Sequence, residues 1–376
     1  MDIDQRYAYE AEEPRPEEPA ADESVPGKSV PDASAADEAR IMQLAAGGGF
    51  ARALAVAARL GIADILDGGR LPYHEIAARG GADPDVTRRL METLTLCGVF
   101  ERDACGDYGL AAAFARLRGS HPRSLRNFCV LMAETYDDAF AGLPHTVATG
   151  ESGFERVFGK PLYAYLAGDP EAERVFDAAM AELARPVVAE LARRADFGTV
   201  RRVIDIGGGD GTVLAGVLAA HPLLEGVCVD RPSVCERARA RLRAGAGERP
   251  ADGRLAFRPA DIFAEVPAGG DRYLLKNVLH DWDAERRLRI LTVVREAMLR
   301  TEATRATPRL LIVEPLQESD ADGAHTLFQM VMCGKDTELF TGPEMHKLVQ
   351  TAGFTLLSAE RLAGGHHVFE CVAVAS

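Results

Sequence analysis

Val203-Ile204-Asp205-Ile206 runs into a glycine-rich turn, Gly207-Gly208-Gly209-Asp210-Gly211, and a helical pattern follows at once. A strand that opens a helix through glycines leaves backbone N–H groups free to hold a ligand. Gly207 and Gly209 match the dinucleotide fingerprint, but Thr212 stands where its third glycine belongs. The spacing Gly207-x-Gly209-x-Gly211 lets backbone approach a nucleoside without shaping a cradle for pyrophosphate. A glycine triplet alone is often only a tight turn. Asp230 ends the next apolar run, about twenty residues on, where an acid accepts both ribose hydroxyls. Its other reading is a solvated acid at a strand end. Asp261 and Ile262 close a third run, offering an acid to an adenine amine and an apolar side chain to its ring. His280 in "VLHDW" and Glu314 in "LLIVEP" lie at the ends of the next two. Five strand ends on one edge fit the rule that such sheets bind ligands at their carboxyl ends.

These residues need a frame that brings the strand ends together. From about residue 199 to 376, strands alternate with helices at the spacing of a doubly wound α/β sheet. The last two strands are joined by a short glycine link. They must pair antiparallel at the sheet edge, since a parallel pair needs a crossover of about a dozen residues. Residues 121–198 read as helical and carry Phe128, Tyr136, Phe140, Phe154, Phe158, Tyr163, Tyr165 and Phe176, either as core or as the lining of a pocket. Residues 37–120 give an alanine-rich amphipathic helix, interrupted near Gly47–Gly49 and ending at Gly61. Two short helices around a Gly-Gly turn and a small hairpin follow. That is a winged-helix outline, and it serves DNA binding or dimerisation. The acidic charge and the few arginines in the second helix favour dimerisation.

Charge and composition exclude several classes. The chain has 376 residues and a net charge of −14, of which residues 1–40 carry −8. That first stretch is rich in Pro, Ala and Ser, and residues 1–36 are expected to form a disordered acidic tail. A mildly acidic remainder argues against nucleic acid. No run of apolar residues approaches the roughly 20 that span a bilayer, and the acidic N-terminus lacks a signal-peptide layout, so a cytoplasmic chain is expected. The seven cysteines show no Cys-x-x-Cys pair, and the nine histidines show no His-Glu-x-x-His. His366 and His367 are adjacent, and in a strand they would face opposite ways. No metal site is expected.

"VIDIGGGDGT", "VCVDRPSV", "ADIF", "LLKNVLHDWDAE", "LLIVEPL" and "GPEMHKLVQTAGF" stand in an order that resembles one family. It is that of the S-adenosylmethionine-dependent small-molecule O-methyltransferases, plant caffeate/flavonoid type and bacterial. Within it the chain looks most like actinobacterial enzymes that tailor aromatic antibiotics. The resemblance implies a Rossmann-like methyltransferase sheet behind an α-helical winged-helix-like dimerisation domain, and a homodimer. It also implies methyl transfer from S-adenosylmethionine to a hydroxyl of a small aromatic acceptor. Carried over by motif, it puts the methionine and ribose parts of the cofactor at Gly207 and Asp230. Adenine falls to Asp261 and Ile262, with Trp282, the only tryptophan, as a wall. Lys276 would contact the methionyl end. His280 becomes the general base, oriented by Glu314, while Phe176, Met180 and Met330 sandwich the acceptor ring.

The pattern is broken in one place. The family's Gly-x-Glu-Arg-Thr is replaced by "KDTELFTGPE", which puts Leu339 where a second glutamate is expected and Phe340 in place of arginine. Glu338 could substitute after a slip of one residue. Glu344 reads instead as the end of a capping box begun by Thr341. Without the second glutamate, more of the rate falls to proximity. That loss leaves room for relatives of the same fold that hydroxylate or decarboxylate an aromatic polyketide, whereas His280 speaks for methylation.

Overall fold

The computed structural model describes residues 33–194, 197–198, 200–243, 253–301, 307–318, 323–337, 339–362 and 365–374. The expected acidic tail lies almost wholly outside them, as does Glu338. The described residues fall into two units, divided between residues 46 and 47.

The first described helix, α1 (Ala33–Arg59), is unbroken through Gly47–Gly49, so the expected interruption does not occur. Nothing lies within 4 Å of where a Cβ would stand on any of the three glycines, so no close approach explains them. The apolar run is also longer than expected. Asp37–Arg59 is long and apolar enough to cross a membrane by length and composition, and 17% of its apolar window is buried within the chain. Its alanines and glycines hide this when only large side chains are counted. Ile41, Met42 and Leu44 are exposed on it.

Next come α2 (Ile62–Ile65), α3 (Tyr73–Gly80) and α4 (Pro84–Leu96). Gly81, at φ 65°, ends α3, and the Asp83 side chain caps α4 by accepting from the Val86 amide. The hairpin of β1 (Phe100–Arg102) and β2 (Tyr108–Leu110) is antiparallel. The helix–turn–helix and hairpin outline is therefore present. Six helices follow: α5 (Arg126–Ala133), α6 (Thr135–Ala139), α7 (Leu143–Thr149), α8 (Gly153–Phe158), α9 (Leu162–Gly168) and α10 (Pro170–Arg194). Their aromatics form a cluster of their own around Tyr136, Phe154 and Leu166.

The sheet holds β3 (Arg202–Ile206), β4 (Glu225–Asp230), β5 (Leu255–Pro259), β6 (Arg272–Lys276), β7 (Arg309–Pro315), β8 (Phe354–Arg361) and β9 (His366–Ala373). Its order is β5-β4-β3-β6-β7-β9-β8. The first five strands run parallel, and β9 pairs antiparallel with both β7 and β8. The final hairpin thus lies at the edge as expected. The connecting helices are α11 (Thr212–Ala220), α12 (Pro232–Arg243), α13 (Ala284–Leu299), α14 (Gly323–Cys333) and α15 (Gly342–Thr351). Strand alternation divides the core. Val203, Leu274 and Leu311 pack with Val188, Leu191 and Leu214 on one face. Ile204, Ile206, Tyr273 and Leu275 pack with Ile290, Val294 and Val349 on the other. From β3 the chain builds outward to β5 and then returns to β6, so order reverses between β3 and β6. A crevice at the carboxyl ends is expected there.

Candidate active site

Gly207, Gly209 and Gly211 leave β3 with φ of 67°, 59° and 79°, a region that side chains disfavour. A Cβ on Gly207 would stand 2.9 Å from Val278, whereas one on Gly209 would meet nothing within 4 Å. The turn is therefore packed from behind and open at Gly209. Asp230, at the end of β4, accepts from the Gly209 amide at 2.8 Å and from the Arg231 amide at 2.7 Å. Burial raises its pKa and these donors oppose the rise. Asp205 shares the strand face of Val203 and is buried, and its Oδ2 has no hydrogen-bond partner. Burial, and then Asp230, push its pKa up to about 7. Lys276 ends β6; burial pulls its pKa down to about 8 against the attraction of Glu314 and Asp205. An open glycine backbone, a ribose-type acid and an unpartnered buried carboxyl oxygen fit S-adenosylmethionine, which brings hydroxyls and an ammonium to one place.

The second half of the site is built on β6 and β7. Lys276 pairs with Val313 across the ladder, and Asn277, at φ 54°, turns the chain out of the sheet. Glu314 is 0% exposed. Its Oε1 accepts from the amides of Val278 and Leu279 at 2.9 and 2.8 Å, which fixes the turn. Its Oε2 lies 2.5 Å from His280 Nδ1. The other ring nitrogen, Nε2, lies 3.3 Å from Asp281 Oδ1. Burial alone would lower the His280 pKa, but Glu314 and then Asp281 outweigh it and hold the ring up to about 9. Burial would likewise raise Glu314, yet His280 and the two amides keep its pKa below the usual range. Asp281 in turn accepts from the Tyr163 hydroxyl and, at 2.8 Å, from Gln329 Nε2.

The structure brings most of the expected residues together. Trp282 stacks on Tyr163 with ring centroids 6.0 Å apart and meets Phe263 edge-on at 4.8 Å, which places it beside the Asp261–Ile262 turn. Asp261 lies two residues past β5 and is exposed, and its carboxylate accepts from the Phe263 amide at 3.0 Å. Phe176 meets Tyr163 edge-on at 6.2 Å. Met180 lies one helical turn from Phe176 on α10; it and Met330 are half-buried. Leu339 and Phe340 are buried, with Phe340 under the Arg287 guanidinium at 4.3 Å. The Thr341–Glu344 capping box is present. His366 reaches Asn277 at 2.9 Å and His367 reaches Glu318 at 3.3 Å, so the two diverge. Among the described residues no cluster suits a metal. Sequence reasoning gave no role to Asp205, Asp281 or Gln329, and placed Tyr163 only among the aromatics of a core or a pocket lining. Asp205 and Asp281 stand inside the quoted motifs, so their signal was available; the contacts of Tyr163 and Gln329 depend on helices distant in sequence.

Comparison with known proteins adds to this geometry. Residues 140–355 match the O-methyltransferase domain and residues 42–116 match the O-methyltransferase dimerisation domain. The dimerisation match takes in most of the apolar helix α1. The chain is 36% identical over 335 residues to phenazine O-methyltransferase PhzM of Lysobacter antibioticus, covering 88% of this chain and 94% of that protein. It is 38% identical over 292 residues to O-demethylpuromycin-O-methyltransferase of Streptomyces alboniger, covering 77% and 75%. An O-methyltransferase (NcsB1) from neocarzinostatin biosynthesis, solved with S-adenosylmethionine and 2-hydroxy-5-methyl naphthoic acid, superposes with a TM-score of 0.70 at 28% identity over 86% of this chain and 96% of that one. With its reversal of strand order between β3 and β6, its glycine turn and its dimerisation segment, the chain belongs to the S-adenosylmethionine-dependent O-methyltransferase family and is a homodimeric enzyme of it.

Proposed function

We propose that the acceptor is a phenolic hydroxyl on a small aromatic metabolite of an antibiotic-type pathway, and that His280 and Glu314 handle its proton. The observation that carries this is the fully buried Glu314, spent on one histidine nitrogen and two loop amides. A buried carboxylate so committed fixes the direction in which Nε2 points, which a merely structural histidine does not need. S-adenosylmethionine supplies the methyl group on a sulfonium. Gly207 and Asp230 hold its methionine and ribose parts, Lys276 its methionyl end, and Asp261, Ile262 and Trp282 its adenine. Asp205 adds a buried carboxyl near the ammonium. Phe176, Met180 and Met330 flank the acceptor ring, and the crevice aligns the acceptor oxygen with the methyl carbon, the main demand of an in-line displacement.

Support for an aromatic acceptor comes from the relatives, which are named for phenazine, puromycin and naphthoate chemistry. In this reading residues 37–120 dimerise, 121–198 line the acceptor pocket and 199–376 hold the cofactor. Seven free cysteines suit a cytoplasmic enzyme. The test is incubation with labelled S-adenosylmethionine and a panel of phenols. Label recovered on an acceptor oxygen from the wild type, and strongly reduced for His280→Ala, is expected; no labelled phenol from any member would sink it.

A further inference from the structure

The turn that carries His280 is held at both ends. Glu314 on β7 holds the first, with one oxygen on the amides of Val278 and Leu279 and the other on His280 Nδ1. The far end, Asp281 and Trp282, is reached from α9 and α14. Asp281 accepts from the Tyr163 hydroxyl through one oxygen and from Gln329 Nε2, at 2.8 Å, through the other. The Trp282 amide donates back to the Leu279 carbonyl at 3.2 Å, which closes the turn. Tyr163 meets more of the site than Asp281. Its ring stacks on Trp282 at 6.0 Å, meets Phe176 edge-on at 6.2 Å and lies under the Arg231 guanidinium at 5.0 Å. Arg231, the residue after Asp230, also donates to the Tyr163 carbonyl at 3.1 Å. Leu162 and Leu166 are buried on either side of Tyr163, and they fix α9 in place.

A phenylalanine would make each of those ring contacts, so the hydroxyl is what needs an account. A hydroxyl set among aromatic side chains costs free energy unless it finds a partner. Its partner here is the carboxylate next in sequence to His280, and hydrogen bonds to carboxylates are among the strong ones. We propose that Tyr163 is a positioning residue for methyl transfer, whose hydroxyl, acting through Asp281, sets where the His280 turn stands. This deepens the reading that His280 meets the acceptor oxygen, and rests on it. A lone pair on that oxygen forms the new O–C bond, the C–S pair leaves with sulfur, and the phenol's proton goes to His280. The oxygen must therefore stand in line with carbon and sulfur, and a displacement of about 1 Å costs on the order of 10²-fold. Gln329 still holds Asp281 when the hydroxyl is lost, so the expected loss is smaller, about tenfold. The ring contacts to Arg231 and Trp282 survive the same change, so cofactor binding should not suffer.

The test is Tyr163→Phe in the full chain, which keeps the ring and removes the hydroxyl. Calorimetry should return the wild-type affinity for S-adenosylhomocysteine. With the panel phenol that the wild type methylates fastest, kcat and kcat/KM should both fall about tenfold and the KM of that phenol should hold, as loss of an interaction made at the transition state requires. Hydrogen–deuterium exchange on the S-adenosylhomocysteine complex should quicken in the peptide spanning residues 278–282 and stay unchanged across the glycine turn, residues 207–211. Unchanged exchange at 278–282, or an unchanged kcat, overturns the proposal. Faster exchange in both peptides would make Tyr163 a general packing residue and overturns it too. Weaker binding of S-adenosylhomocysteine would make the hydroxyl part of the cofactor site, with the same result. If the wild type methylates no phenol, the acceptor reading fails by itself, and exchange at 278–282 still decides whether the hydroxyl holds the turn.

Discussion

Glu314 is a carboxylate without solvent, and such a group is tolerated only when donors saturate it. Two amides and His280 do so, and the consequence runs through the histidine. The His280 pKa rises from 6.5 to about 9 on folding. A raised pKa means that the folded state binds the proton more tightly. The stabilisation is complete below pH 6.5 and is lost as pH rises through about 9. His280→Gln should therefore flatten the decline in melting temperature over that window relative to wild type. A parallel decline in both would place the titration elsewhere. In turnover, His280→Ala should cost roughly 10²–10⁴-fold. The loss should sit toward the low end, because alignment of the acceptor survives. It should shrink as pH rises toward the phenol's own pKa, and measurements across that range decide it. Equal rates at neutral pH would make the histidine structural. At this scale the sequence was partly legible. Motif order placed His280 and Glu314, and the structure puts them in contact. Asp281 passed unnoticed because its importance lies in a partner on α9 and another on α14, and no spacing rule connects those positions.

At the scale of elements, the cofactor edge depends on the reversal of strand order between β3 and β6. The strands were legible because a parallel sheet buried on both faces writes continuous apolar runs, and the final hairpin because its link is too short for a crossover. The continuity of α1 was not legible. Three glycines at about 1 kcal/mol each relative to alanine argue for a break, and long alanine-rich flanks carry the helix through them. The switch point gives a second test. Asp230 anchors the Gly209 amide and, in the proposed reading, also accepts the ribose hydroxyls. Asp230→Ala should weaken S-adenosylhomocysteine binding by about 1.5–3 kcal/mol for each charged hydrogen bond lost. Its melting temperature should change less, since burial already disfavours the charged form of this acid. Calorimetry showing unchanged affinity would remove Asp230 from the site.

For the molecule as a whole, the open question is what covers α1. Its length and apolar composition would suit a bilayer, and most of that window is not buried within the chain. The dimerisation match begins at residue 42, inside this helix, so the apolar surface falls in the segment through which family members pair. Ile41 and Leu44 are 68% and 74% exposed in the single chain. Burying side chains of that size against a second copy contributes about 1.5–3 kcal/mol each, and a dimer presents two sets. Glutamates at the same positions would have to be buried without partners, or would hold the helices apart. The double variant Ile41→Glu, Leu44→Glu should therefore sediment as a monomer at concentrations where the wild type is a dimer. Its secondary structure by circular dichroism should be retained, because neither side chain is buried in the single chain. A dimer of unchanged mass would move the interface off this end of α1. Recovery of the wild type with the membrane fraction would show that the helix is covered by lipid and not by a second copy.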